Sequence, residues 1–397
     1  MSEKAVLNII YTNIGRGHPF YLDGIVRCLK KSYKNEISLN IKDVFELSSG
    51  VSLQLWKTVR ALYHCGSQGG PVGHIYNIVR KRNSPQTSSS VVRLMAGDIR
   101  KYIKSNRHPT LVAHPILVPM IADLAPVYYQ HGENAVPAEA IIRGAKRIFV
   151  PTSQAAAFFS ESGINKESIY TSGLCVENEL TEKAEQDFND RLRRLERKDV
   201  LTGAFFSSGA EPRQHVRKIV LMMASLAKNG QRAIVLCRKG GRLEKALAKE
   251  IGLNSADLDI ADDNIKQVLE RENAAAFSYS SRSEEIELTN RLFSYFDYFV
   301  APSHERTNWA LGLGLPMFIV HPIVGTFSPL NRQILLDNRV AADIDSDKKG
   351  ADFSSVLMDL NKEGILAGMA RNGFGKYNVD GFQKIAKHLA GELLTHC

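Results

Sequence analysis

The sequence predicts an α/β protein built from two doubly wound, parallel-sheet domains. Three observations carry this. Short apolar runs ending in Pro, Gly, Ser or His recur along the chain, each followed by a helical stretch. The alternation breaks once, at the polar run 177–198, ENELTEKAEQDFNDRLRRLERK, and then restarts. The length of 397 residues with 44% apolar content gives two domains of ordinary size ample core. The domains are placed at 1–185 and 195–380, with a last helix at 380–397 that packs back on the first.

Residues 6–11 form the first strand. The loop NIGRGH, residues 13–18, follows, and Pro19 opens a helix to about residue 31. Strand, glycine-bearing loop and helix form the phosphate-handling layout, although Gly15 and Gly17 would serve a plain tight turn as well. Residues 39–44 make the second strand. Residues 110–113 form a strand ending at His114-Pro115, and 126–129 a strand ending in QHGENAVP, with His131 and Glu133. Ligands of open α/β sheets sit outside the carboxyl ends of strands, so histidines there are candidate site residues. Residues 138–145 read as a helix, 147–150 as a strand, 154–162 as a helix closed by Gly163, and 169–173 as a strand.

After the polar run, 201–206 is a strand and Ser207, Ser208, Gly209 and Ala210 make a loop. Residues 213–229 form an amphipathic helix, 232–237 a strand, 274–279 another strand and 284–295 a helix. Residues 298–301 end at Pro302-Ser303 as a buried parallel strand does. Thr307 or Asn308 is expected to cap the next helix, 315–320 is a strand, and the loop from Gly325 leads to a helix from Pro329.

The net charge of +9 suits a membrane surface or nucleotide substrates. No zinc spacing, basic arm or stacking signature marks a nucleic-acid module. Five scattered cysteines without CxxC spacing predict neither disulfides nor a metal cluster. The apolar run near the start is too short for a signal segment, and no run reaches the length of a spanning helix. The expected location is the cytoplasm. The stretch 52–82 carries Leu53, Trp56, Val59, Leu62, Tyr63, Ile75 and Val79 among Lys57, Arg60, Arg80, Lys81 and Arg82. It reads either as paired amphipathic helices on anionic lipid at the inner membrane face or as core-packing helices with solvated basic faces, the commoner meaning of such a stripe.

Several stretches together resemble one family. NIGRGHPFYLDGIVRCLKK is similar to the first loop of GT-B glycosyltransferases of the MurG and diacylglycerol glycosyltransferase type. YYQHGENAVP resembles their HEQNAVP stretch, with Gly132 where Glu is usual and Glu133 where Gln is usual. LTGAFFSSGAEPRQHVRKI resembles the loop opening their donor domain, ALGLGLPMFIVHPIVGTFSPLN their donor signature, and DGFQKIA their last helix. In SGLCV, Cys175 replaces a proline. LYHCGSQGGPVGHIYNIVR looks like the aromatic and basic stretch of the diacylglycerol branch.

The resemblance implies two Rossmann-like domains facing a cleft and transfer of a sugar from a nucleotide-sugar, UDP-linked by default. Transfer would proceed with inversion and without metal or other cofactor, to a lipid-linked or membrane-associated hydroxyl. Such transfer needs a base for the acceptor proton. His18 is the first candidate, and Glu133 or His131 the second. Gly15 and Gly17 would allow close backbone approach. Backbone N–H groups at Ser207, Ser208, Gly209, Gly325 and Thr326 would meet the diphosphate, and Arg238 would add a cationic fork. The family's ribose-binding Glu is replaced by Trp309, with Asn308 beside it. Glu305 lies one turn earlier as a substitute, and GTFSPL precedes Asn331 in place of the usual Gln residues. These departures support an alternative, a GT-B-fold nucleotide-binding accessory protein without transfer. No epimerase or phosphorylase motif is evident.

Overall fold

The computed structural model describes residues 4–68, 90–256 and 273–395. The chain forms two compact units. The first is built from Met1–Asn178, Gly325–Leu330 and Asn378–Cys397, and the second from Glu179–Val324 and Asn331–Tyr377.

The first unit holds a six-stranded sheet. Its strands are β1 (Ala5–Tyr11), β2 (Ile37–Asp43), β3 (Thr110–Val112), β4 (Val127–Gln130), β5 (Arg147–Val150) and β6 (Ile169–Thr171), in spatial order β2-β1-β3-β4-β5-β6 and parallel throughout. The central strands read as near-continuous apolar runs because helices cover the sheet. Ile10, Val112, Tyr129, Ile148 and Val150 pack with Trp56, Ile99, Leu117 and Phe159. The terminal helix Gly381–Leu394 joins this unit by lying on the helix Gly17–Ser32, with Phe20 and Phe382 ring centroids 5.7 Å apart. Leu174 N–H donates to Asn378 O (2.7 Å) and Gly381 N–H to Leu174 O (3.0 Å).

The second unit holds a seven-stranded sheet of β7 (Thr202–Phe206), β8 (Arg232–Arg238), β9 (Ser255–Ala256), β10 (Ala274–Tyr279), β11 (Tyr298–Ala301), β12 (Met317–Val320) and β13 (Ala341–Ile344). The order is β13-β12-β11-β7-β8-β10-β9, again all parallel. Phe205, Tyr298, Phe318 and Phe353 form an edge-to-face aromatic core.

Several local expectations are corrected. Residues 138–145 hold only a 3-10 turn, Ala138–Ala140, because Pro137 and Gly144 leave too little chain for a stable helix. Thr307 and Asn308 lie inside the helix Thr307–Gly312, whose N-cap is Arg306 without a side-chain bond. The polar run, which its composition places on the surface as a helix and connector, forms helices Asn178–Thr181 and Ala184–Arg197, and the second has a buried face: Phe188, Arg191 and Leu195 are buried. The guanidinium of Arg191 donates to the carbonyls of Phe296, Leu313 and Gly314. Of the stretch 52–82, the helix Gly50–Ser67 is described, whereas Ile75, Val79, Arg80, Lys81 and Arg82 lie outside the described residues.

Candidate functional site

In both sheets the chain starts in the middle, builds outward on one side, then returns and builds on the other. The reversal falls between β1 and β3 in the first sheet and between β7 and β11 in the second. Such switch points leave a crevice at the strand carboxyl ends, where ligands bind in open α/β folds.

At the first switch point, the loop after β1 is clamped by the end of β2. Asn13 N–H and Nδ2 both donate to Asp43 Oδ2 (3.2 and 2.7 Å), while Asp43 Oδ1 accepts from Phe45 N–H at 2.8 Å. Burial pushes the Asp43 carboxyl above its usual range despite these bonds. Gly15 has φ +76°, and a Cβ there would lie 2.7 Å from the Tyr63 hydroxyl. Only glycine suits both the left-handed backbone and the covering ring. His18 then occupies the first turn of the helix Gly17–Ser32, half-buried.

Histidines from neighbouring strand ends gather there. The His18 ring lies 4.7 Å from that of His114, just beyond β3, and 6.5 Å from Phe327. His131, just beyond β4, has its ring 6.1 Å from Phe327. Ile116 N–H donates to His114 Nδ1 (3.3 Å), which places the proton of the neutral ring on Nε2. His131 is fixed at both nitrogens: Nε2–H donates to Ala135 O (3.1 Å), and Nδ1 accepts from the Tyr129 hydroxyl (3.4 Å). Burial drives its pKa down to about 3, so the ring is neutral across the physiological range. The Glu133 carboxylate approaches the start of the His18 helix, since a Cβ on Gly17 would lie 3.5 Å from Oε1. Thr326 Oγ1 donates to Glu139 Oε1 at 2.5 Å, holding Phe327 beside the imidazoles. Thr326 and Gly325 thus belong to the first unit together with His18.

At the second switch point, β7 ends at Phe206 and continues into Ser207, Ser208 and Gly209. Ser207 Oγ is buried without a hydrogen-bond partner among the described residues. The loop turns through Glu211, at φ +45°, which is buried and accepts the Arg242 backbone N–H. Arg238, with its side chain 53% exposed, sits 3.7 Å from the same carboxylate. Beyond β11, Asn331 Nδ2 donates to Ser303 O (3.2 Å) and ties down the next loop. Glu305, Arg306, Asn308 and Trp309 are all buried there. Trp309 is packed by Phe206, Phe293 and Phe299 at centroid distances of 5.6, 5.5 and 5.5 Å.

The positions expected from sequence therefore fall into two groups. Gly15, Gly17, His18, His131, Glu133, Gly325 and Thr326 lie in the first unit, and Ser207, Ser208, Gly209, Arg238, Glu305, Asn308 and Asn331 in the second. His114 joins the first group, and its place at a strand end is a signal visible in the sequence. Glu139, Phe327, Glu285 and Arg306 also contribute, and no motif marks them.

No family model and no curated protein matches the chain. Solved structures do. A putative UDP-N-acetylglucosamine 2-epimerase from Listeria monocytogenes aligns at a TM-score of 0.59 and 13% identity, covering 100% of this chain and 97% of that one. The UDP co-structure of MnaA from S. aureus aligns at 0.56 and 11% identity, over 98% and 97%. UDP-GlcNAc 2-epimerase from Neisseria meningitidis bound to UDP-GlcNAc aligns at 0.56 and 12% identity, over 98% and 99%. Together with the two parallel sheets and their central reversals, these likenesses establish that the chain has the two-domain α/β architecture of the GT-B fold.

Proposed function

We propose that the protein is a nucleotide-sugar-dependent glycosyltransferase, inverting and metal-independent, with UDP-sugar as its default donor and a lipid-linked or membrane-associated hydroxyl as acceptor. The observation that carries this reading is the gathering of His18, His114 and His131 at the first switch point. A half-buried imidazole at a strand end suits a general base. His18 takes the acceptor proton as the hydroxyl oxygen attacks the anomeric carbon, and the bond to the departing nucleoside diphosphate breaks on the opposite face. His131, neutral and held at both nitrogens, serves as framework rather than base, and Glu133 keeps the second place as proton acceptor. The nucleotide belongs to the second unit, at Ser207, Ser208, Gly209, Arg238, Glu305 and Asn308. The UDP and UDP-GlcNAc complexes of proteins with this fold support a nucleotide-sugar as the ligand.

The acceptor reading draws on the helix Gly50–Ser67. Trp56 is fully buried, with Nε1 donating to Met95 O (3.2 Å), so this face is core. Val51 and Leu62 are 65% and 53% exposed on the same helix, and Val91 and Leu94 are exposed on the helix Ser90–Ser105. An apolar face beside Lys57, Arg60 and Arg93 suits contact with anionic lipid. Among the described residues no helix is long and apolar enough to cross a membrane.

Trp309 in an aromatic cluster, where a ribose-binding Glu would be expected, favours a second reading: a nucleotide-binding accessory protein without transfer. Release of nucleoside diphosphate from a panel of nucleotide-sugars, with and without lipid acceptors, decides between them. The transferase releases diphosphate, and His18→Ala abolishes release while nucleotide binding persists. Tight nucleotide binding with no turnover of any donor supports the accessory reading. Conversion of UDP-GlcNAc at C2 without acceptor would overturn both.

A further inference from the structure

We propose that the first unit carries a second ligand site, for a soluble phosphomonoester, in a pocket between the terminal helix and the edge strand β6. The inference goes beyond the nucleotide-sugar reading and does not rest on it. The pocket has a volume of about 640 Å³, within the range of small-molecule sites. Tyr170 of β6 lines one side, and Lys384, Lys387, His388, Gly391 and Glu392 of the helix Gly381–Leu394 line the other. Spacings of three and four residues put these helix positions on one face. β6 is the last strand of its sheet, so the pocket lies away from the switch point between β1 and β3.

The charges in this pocket do not balance. Glu392 is fully engaged: Oε2 accepts from the Tyr128 hydroxyl (2.8 Å) and pairs with Lys146 (2.6 Å), while Oε1 accepts from Arg147 Nη2 (3.1 Å) and His388 Nε2–H (2.8 Å). Lys384 pairs with Asp380 at 3.0 Å, a half-exposed contact within one helix that holds it weakly. Lys387 is exposed and has no ion pair or hydrogen bond among the described residues. Four cations therefore meet two carboxylates, and the surplus sits on Lys384 and Lys387, one turn apart. A phosphomonoester, with about −1.5 to −2 charges at pH 7 and three acceptor oxygens, matches such a pair. The Tyr170 ring, 4.4 Å from that of His388, forms a wall for its organic part. Gly391 makes the room. A Cβ there would meet no atom within 4 Å, and its backbone is not left-handed, so neither packing nor conformation calls for glycine in a helix that alanine would stabilise. With Glu392 and His388 Nε2 bonded to each other, the pocket is equipped to bind rather than to catalyse. Among the described residues, no exposed large apolar side chain lies on the terminal helix or on β6. Nothing beside the pocket would enter a bilayer, which favours a soluble phosphate over a lipid headgroup.

The test is calorimetric titration of the full chain with phenyl phosphate, with and without excess UDP. The unaltered protein is expected to bind the probe saturably and equally in both conditions. Lys387→Gln should weaken binding by about threefold to fivefold, the value of one exposed ion pair. Gly391→Leu fills the pocket and changes no charge, so it separates a shaped site from diffuse surface attraction. It is expected to weaken binding at least about tenfold, with no fall in melting temperature because leucine is the better helix former. Absence of saturable binding overturns the inference, as does undiminished binding to folded Gly391→Leu. Displacement of the probe by UDP places it in the nucleotide site, which overturns the inference and leaves the nucleotide reading standing. Co-sedimentation with phosphatidylcholine vesicles containing phosphatidic acid is expected to be the same for Gly391→Leu and the unaltered protein. A loss confined to the variant, with no binding of phenyl phosphate, assigns the pocket to a lipid headgroup and overturns the soluble ligand.

Discussion

Gly132 lies directly beneath the ring of Tyr21: a Cβ at this position would come within 2.3 Å of Tyr21 Cδ1 and 2.4 Å of Cε1 and Cγ. Tyr21 is buried and flanked by Phe20, with ring centroids 5.4 Å apart, so it has little room to retreat. This accounts for glycine where the HEQN-type stretch has glutamate. Gly132→Ala is expected to destabilise the first unit by about 1–3 kcal/mol through overpacking, and Gly132→Glu by more. The urea midpoint reads the effect, and an unshifted midpoint for the alanine variant would falsify the steric account.

The same residue shows what the sequence made legible. Apolar runs and their breaks located the central strands, because strands buried on both faces carry a dense local signal. That His18 follows the first strand and that His131 and Glu133 follow β4 could be read from the local pattern, because the apolar runs mark where those strands end. The Tyr21–Gly132 and Glu285–Arg306 contacts join distant residues and follow from no local pattern. Nor did the polar run announce its buried face: its helix places Arg191 inward, where carbonyls rather than an apolar partner receive it. The 3-10 turn at Ala138–Ala140 was missed because composition alone does not fix where a helix fails to propagate.

Placing a carboxylate at Trp309, where the sequence resemblance has a ribose-binding Glu, is not expected to create a ribose site. The indole is wedged among Phe206, Phe293 and Phe299. Trp309→Glu would remove that packing, worth about 3–5 kcal/mol for a buried aromatic, and leave a charge in an apolar cluster. Thermal unfolding should show a large drop in stability. Calorimetry should show no gain in UDP affinity for whatever folded fraction remains. A stable variant that binds UDP more tightly would mean that the position faces the nucleotide.

Arg191 tests whether the helix Ala184–Arg197 is a core element. Its Nε donates to Phe296 O at 2.9 Å and its Nη1 to Leu313 O at 2.9 Å. Burial lowers its pKa to about 10, which still leaves it charged at neutral pH. Arg191→Met keeps much of the volume but strands these carbonyls, at about 1–3 kcal/mol for each buried acceptor. Denaturant unfolding is expected to report a loss of several kcal/mol, whereas the exposed neighbour Arg193→Met should change little. Equal effects from both would show that the helix is peripheral.

Glu392 ties the terminal helix to the sheet. Burial alone would raise its pKa, but bonds from Lys146, Tyr128, Arg147 and His388 outweigh that and bring it down to about 2. Tyr128 donates to it at 2.8 Å and Lys146 pairs with it at 2.6 Å. A carboxylate with a depressed folded pKa contributes stability that is present above its unfolded pKa and lost as pH falls toward the folded value. The window therefore runs from about 4.5 down to about 2. Across it the contribution is on the order of 2–3 kcal/mol. Glu392→Gln should lower stability at pH 7 and flatten the acid limb of a stability–pH curve. An unchanged limb would assign the acid sensitivity to other carboxylates.

The buried histidines give a dependence of the same sign, at higher pH. Burial drives His131 down to about 3 and His215 down to about 4. His215 lies in the second unit, where its Nε2–H donates to Pro322 O at 2.7 Å and its Nδ1 is buried without a hydrogen-bond partner among the described residues. Both rings are neutral when folded, while the same side chains in the unfolded chain protonate near pH 6.5. Between about pH 6.5 and each folded value the unfolded state therefore holds the extra proton. Stability falls as pH falls, by about 1.4 kcal/mol per pH unit for each histidine. Carboxylates of ordinary pKa are still ionised between about pH 5 and 6.5, so the slope there isolates the imidazoles. His215→Gln keeps a donor for Pro322 O and removes the titration. It should reduce the slope of unfolding free energy in that interval by about one proton's worth. A slope unaffected by the substitution would mean that the ring gains its proton without unfolding, and that the pocket around it opens to water.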